Sequence, residues 1–150
     1  MNLTLSKLFT RILAALLCVC VIFSLTACAP SVGKIKKADQ VCVSGALYES
    51  WMYVITDEAF LDEITDIFTH MKYKKSDDAV DMMNAGETLS FTFSKGEETL
   101  GKVIIDSNSR VCFEAGTQSY DITSEFDFGY IKSLVDKHVE AINESFDTTE

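Results

Sequence analysis

The run Ile12 to Leu25 (ILAALLCVCVIFSL) contains no charge and follows Lys7 and Arg11 near the start of the chain. A helix that crosses a bilayer needs about 20 apolar residues, so this run is short for a span. Its length and its basic flank are those of the h-region of an export signal. Read as a cleaved signal, residues 1–27 leave 123 residues to fold. That is enough for one modest core and too few for two independent domains.

Charge narrows the reading further. Cleavage removes Lys7 and Arg11 and no acid, so 11 cations face 23 acids and the formal charge moves from −10 to −12. Phosphate backbones are bound by clustered cations, so a nucleic-acid partner is not expected. The acidic surface keeps the domain soluble.

At the end of the apolar run stands Leu25-Thr26-Ala27-Cys28. An aliphatic residue, two small residues and a cysteine resemble the lipobox of bacterial lipoproteins. The resemblance implies that Cys28 receives a diacylglycerol and that a dedicated peptidase cuts between Ala27 and Cys28. One acyl chain gives only marginal, reversible binding, at ~0.8 kcal/mol per buried CH₂, whereas two hold a protein on the membrane. The expected location is therefore the extracytoplasmic face of the cell membrane, with palmitate-class chains as the anchor. Cys18 and Cys20 lie inside the apolar run and leave with it. Residues 28–37, with Pro30, Gly33, Lys34, Lys36 and Lys37, read as a tether, and residues 38–146 as the domain.

Within the domain, Val41 and Val43 alternate with Gln40, Cys42 and Ser44, the period of a half-buried strand, which spans Gln40 to Leu47. The stretch Tyr48 to Ile55 continues it past Gly45. Thr56 is the expected N-cap of a helix over 57–71, because Phe60, Leu61, Ile64, Ile67, Phe68 and Met71 recur at helical spacing. Lys72 to Glu87 reads as a loop with one helical turn near residues 80–83. Four strands follow, Thr88–Ser94, Glu98–Asp106, Arg110–Ala115 and Gln118–Ile122, separated by hairpin-turn residues. Ser124 then opens a second helix, with Tyr130, Ile131, Leu134, Val135, His138 and Ile142 as its apolar stripe. The expected fold is α+β, in the order β-α-β-β-β-β-α, with two helices on one face of an antiparallel meander. Across roughly residues 35–145 this order resembles small lipoproteins of Firmicutes, a likeness that implies no activity.

Few residues suggest chemistry. A nucleophile needs an adjacent base, and the chain has only His70 and His138. A helix C-terminus accounts for the first and core packing for the second. Asp77, Asp78 and Asp81 lack the alternating spacing and glycine of a calcium loop. No metal site and no cofactor is expected. The segment Tyr48 to Tyr53 holds three aromatics, including the only Trp. If Glu49, Trp51 and Tyr53 share a face they form a platform for a protein, peptide or glycan ligand, and packing into the core is the competing reading.

Cys42 and Cys112 are the thiols left besides Cys28. Export favours a disulfide, but the meander separates their strands by at least two spacings, ~9.6 Å, beyond the ~7 Å that a disulfide tolerates. Two unpaired thiols are expected. Taken together, the sequence leads to a non-catalytic, membrane-anchored binding module. A small envelope hydrolase and an accessory subunit of a membrane complex are the alternatives.

Overall fold

The computed structural model describes residues 32–45, 51–76, 87–113 and 118–147. A short 3₁₀ helix, Val32–Lys37, leads into β1 (Gln40–Gly45) and β2 (Met52–Ile55). Then come α1 (Glu58–His70), β3 (Tyr73–Lys75), β4 (Thr88–Lys95), β5 (Glu98–Asp106), β6 (Arg110–Phe113), β7 (Ser119–Ile122) and α2 (Phe128–Asp147). All seven strands form one antiparallel sheet in the order β2-β1-β4-β5-β6-β7-β3.

The α+β class and the four-strand meander are as read from the sequence. Two strands were not. Tyr48 to Ile55 does not continue β1: β2 turns back and pairs with it antiparallel, Val41 opposite Ile55 and Ser44 opposite Met52. β3 lies within what reads as loop and pairs with β7, Tyr73 opposite Ile122. Three residues, two of them lysines, are too few to show a period of two. The helical turn expected near residues 80–83 and the acids Asp77, Asp78 and Asp81 lie outside the described residues.

Alternation decides which face is buried. Val41 and Val43 of β1, Leu89, Phe91 and Phe93 of β4, Val103 and Ile105 of β5 and Val111 of β6 are all sequestered on one side. The register sets them opposite one another, with Val41 facing Phe93, Phe91 facing Val103 and Ile105 facing Val111. Both helices cover this face through Phe60, Leu61, Ile64 and Phe68 of α1 and Ile131 and Val135 of α2. Each such side chain contributes about 1.5–3 kcal/mol by leaving water.

The helix starts differ slightly from the sequence reading. Asp57, not Thr56, caps α1, its carboxylate accepting from Phe60 N at 2.8 Å. Asp127, not Ser124, serves α2, accepting from Tyr130 N at 3.0 Å. A carboxylate both accepts the orphan N–H and complements the helix dipole, which a hydroxyl does not. Ser124 instead accepts from Lys72 N at 3.1 Å, tying the end of α1 to the start of α2.

Val32–Lys37, read from the sequence as tether, is a 3₁₀ helix of the domain, which therefore includes the six residues before its expected start at residue 38. Ile35 is 1% exposed. It packs where Gly101 has no side chain, so that a Cβ added there would lie 3.2 Å from Ile35 Cγ2. Asp39 N donates to Ser94 O at 3.0 Å and fixes the entry to β1.

Among the described residues, one acid is wholly buried. Asp106 Oδ1 accepts from Asn108 N and Arg110 N, both at 2.9 Å, and so closes the β5–β6 turn in which Ser109 has a φ of 59°. Asp106 Oδ2 forms an ion pair with Arg110 Nε at 3.1 Å. Asp106→Asn keeps the volume and loses the charge. We expect a loss of about 1–3 kcal/mol in urea unfolding, the range for weakening hydrogen bonds to a buried charged group. A change within experimental error would mean that the turn does not depend on the carboxylate.

Candidate functional site

β2 is an edge strand whose alternation sends Trp51 and Tyr53 to the helix face and Met52 and Val54 to the other. The two rings do come together, with centroids 5.8 Å apart; both are half-buried, and Trp51 packs against the core. Tyr53 Oη donates to Asn143 Oδ1 of α2 at 3.2 Å. Trp51 lies against Gly45, where an added Cβ would come within 2.7 Å of the indole. Glu49 lies outside the described residues. The pair thus forms a corner between β2 and α2, with Trp51 on the core side. The outer face of β2 shows Met52 at 71% and Val54 at 54% exposure.

Because Trp51 is the only Trp, its fluorescence reports on this corner alone. Gly45→Ala forces the indole to move. The expected result is a red-shifted emission and a cost of about 1–3 kcal/mol, as for overpacking elsewhere. An unchanged spectrum would place the indole away from Gly45.

A better-formed concavity lies elsewhere. The C-terminal turn of α1, the 124–127 loop and the first turn of α2 enclose a groove of about 320 Å³. Ile67, Met71, Phe126 and Ile131 give it an apolar floor, and His70, Glu125, Asp127 and Tyr130 stand around it. Local bonds hold its walls. Met71 N donates to Ile67 O to finish α1, Thr123 N donates to Lys72 O at 2.7 Å, and Asp127 caps α2. Across the helices Tyr130 Oη donates to a Glu63 carboxylate oxygen, a bond that raises the phenol above its ordinary range.

The histidines are held by their own helices. His70 Nδ1 lies 3.1 Å from Asp66 Oδ1 and 3.0 Å from Asp66 O. His138 Nδ1 donates to Leu134 O at 2.9 Å while its ring packs 4.6 Å from Phe60 and its Nε2 lies 3.7 Å from Asp57 Oδ1. Helix-end and packing roles thus match the sequence reading for both. Neither Cys42 nor Cys112 is in a disulfide. β4 and β5 separate their strands, three spacings or about 14 Å. Burial pushes the Cys112 thiol up, away from the reactive thiolate form. Among the described residues, no three His, Cys, Asp or Glu side chains are grouped to hold a metal ion.

Sequence reasoning missed the groove because its floor comes from three segments, two of which belong to apolar stripes already assigned to the core. Phe126, an apolar residue inside a polar loop, was the available signal. A cluster of Tyr73, Phe113 and Tyr120, with centroids 4.9–5.7 Å apart, was also missed, since it depends on β3. Burial and the neighbouring Tyr120 raise the Tyr73 phenol.

Comparison with protein-family models, with curated proteins and with solved structures finds no match for the chain.

Proposed function

We propose that the chain is a lipoprotein of the extracytoplasmic membrane face, anchored through Cys28, whose domain binds a partner in the groove between α1 and α2 and performs no chemistry of its own. The observation that carries the binding reading is the groove itself. It has an apolar floor, walls fixed by local hydrogen bonds and a few polar groups at its rim, the usual make-up of a binding site. An apolar side chain of a protein or peptide fits such a floor better than a glycan does. A hydrolase reading draws on Glu125 and Asp127, the two acids at the rim. Asp127 Oδ1 is engaged as the cap of α2, which leaves the acid pair poorly suited to proton transfer. The motif Leu25-Thr26-Ala27-Cys28 supports the anchor.

Growth with an alkyne-bearing fatty acid tests the anchor, and photocrosslinking in native membranes tests the groove. A photoreactive residue at Phe126 is expected to give a protein adduct, and one at Lys137, on the exposed side of α2, is not. An unlabelled chain overturns the anchor. Equal adducts at both positions, or none, overturn the groove.

A further inference from the structure

If Cys28 carries the anchor as proposed above, at most residues 28–31 lie between the lipid and the domain, because Val32–Lys37 is a 3₁₀ helix seated by the buried Ile35. Four residues reach at most about 14 Å when fully extended. A domain of this size has a radius of gyration near 13 Å and is thus roughly 35 Å across. A tether so much shorter than the body does not let it turn over. The end that carries Val32 stays against the bilayer.

That end has its own charge balance. It presents Lys34, Lys36 and Lys37, and the β4–β5 turn brings Lys95 beside them, since Gly96 N donates to both oxygens of Asp39 at 3.1 Å and Gln40 Nε2 donates to Gly96 O. Acids stand among them, Asp39 and Asp66 in direct contact and Glu97 and Glu98 in the same turn as Lys95. Asp39 is engaged by Gly96, and Asp66 faces Lys36 Nζ at 3.6 Å. Four of the mature chain's 11 cations gather at this end, while the mature chain as a whole carries −12, so an anionic bilayer repels this end less than the rest of the molecule. Lys34 and Lys37 are exposed.

We propose that the Val32–Lys37 helix, with Lys34 and Lys37 on it, is the membrane-facing surface of the domain and rests on anionic lipid headgroups. Asp66 links this surface to the groove, for its Oδ1 meets Lys36 on one side and His70 Nδ1 at 3.1 Å on the other.

The test uses the full lipidated protein in vesicles of phosphatidylcholine alone or with phosphatidylglycerol. Amine acetylation is read residue by residue by mass spectrometry, with Lys137 as internal reference. Flotation with the vesicles is checked first, and a chain that does not float overturns the anchor reading on which this proposal rests. For a chain that floats, Lys34 and Lys37 are expected to react about fivefold more slowly on phosphatidylglycerol vesicles than on phosphatidylcholine, the effect of a surface lysine near an anionic leaflet. Equal rates on both, relative to Lys137, overturn the proposal while leaving the anchor intact. Inserting a long Gly-Ser segment after Ser31 frees the domain and is expected to restore most of the reactivity. Protection unchanged by the insertion would show that the short reach does not set the orientation.

Discussion

Replacing Cys28 by Ala is expected to abolish fatty-acid incorporation entirely and to leave the precursor uncut at Ala27. No other cysteine is placed to substitute. Cys18 and Cys20 follow Leu17 and Val19, which are not small residues. Cys42 lies within β1, and Cys112 is buried in β6. The acyl groups need a thiol, so Cys28→Ser is expected to fail in the same way. Loss of both chains removes the whole apolar anchor, at ~0.8 kcal/mol per CH₂, and the unlipidated chain is then held only by an uncleaved signal. Metabolic labelling with an alkyne fatty acid, followed by a gel shift for the uncut form, measures both effects. Cys28 precedes the first described element, Val32–Lys37, so the thermal midpoint should stay within error of the wild type. Undiminished label on the Ala variant would remove the basis for the lipoprotein reading.

How far the sequence carried the fold is clearest in the elements with long periods. α1 was legible because six apolar residues recur along one stripe, and β4 because Leu89, Phe91 and Phe93 alternate with Ser90, Thr92 and Ser94. β2 and β3 were not. Four and three residues hold too little alternation to separate a new strand from an extension or a loop, and only pairing with β1 and β7 defines them. The 3₁₀ helix shows the same limit. Gly33 and three lysines make the segment look like a solvated tether, and Ile35, with Val32, tips it into the fold because Gly101 leaves room for Ile35.

The candidate site was less legible, for a physical reason. Trp51 and Tyr53 were singled out as chemically rich side chains, but a sequence does not show which face of an edge strand meets a helix. α2 covers the side that bears the rings, and the hydrogen bond from Tyr53 to Asn143 joins residues 90 positions apart. The groove has the opposite character. Its residues are individually ordinary, and the concavity arises where bonds between Lys72 and residues 123 and 124 hold two helix ends together.

Phe68→Ala is expected to cost about 3–5 kcal/mol, the usual range for emptying a buried aromatic site. Phe68 is 1% exposed and sits in the middle of the core. Its ring meets Phe91 edge-on at 5.1 Å and Phe93 at 6.1 Å, and those two rings stack with each other at 6.4 Å. Each favourable ring pair adds about 0.5–1.5 kcal/mol beyond area burial. The site cannot relax to fill the space, because β4 is hydrogen-bonded on both sides, to β1 and to β5, and its backbone is held in place. α1 is capped by Asp57 and tied through Lys72 to Ser124, so it does not slide inward either. Phe68→Leu keeps most of the volume and loses the edge contacts, so a smaller cost of roughly 1.5 kcal/mol follows. Domains of this size hold only about 5–15 kcal/mol in total, and the Ala variant is left close to the unfolding threshold. Urea unfolding at constant slope gives both values. A shift worth less than about 1 kcal/mol for Ala, well below the buried-aromatic range, would mean that α1 presents a different stripe to β4.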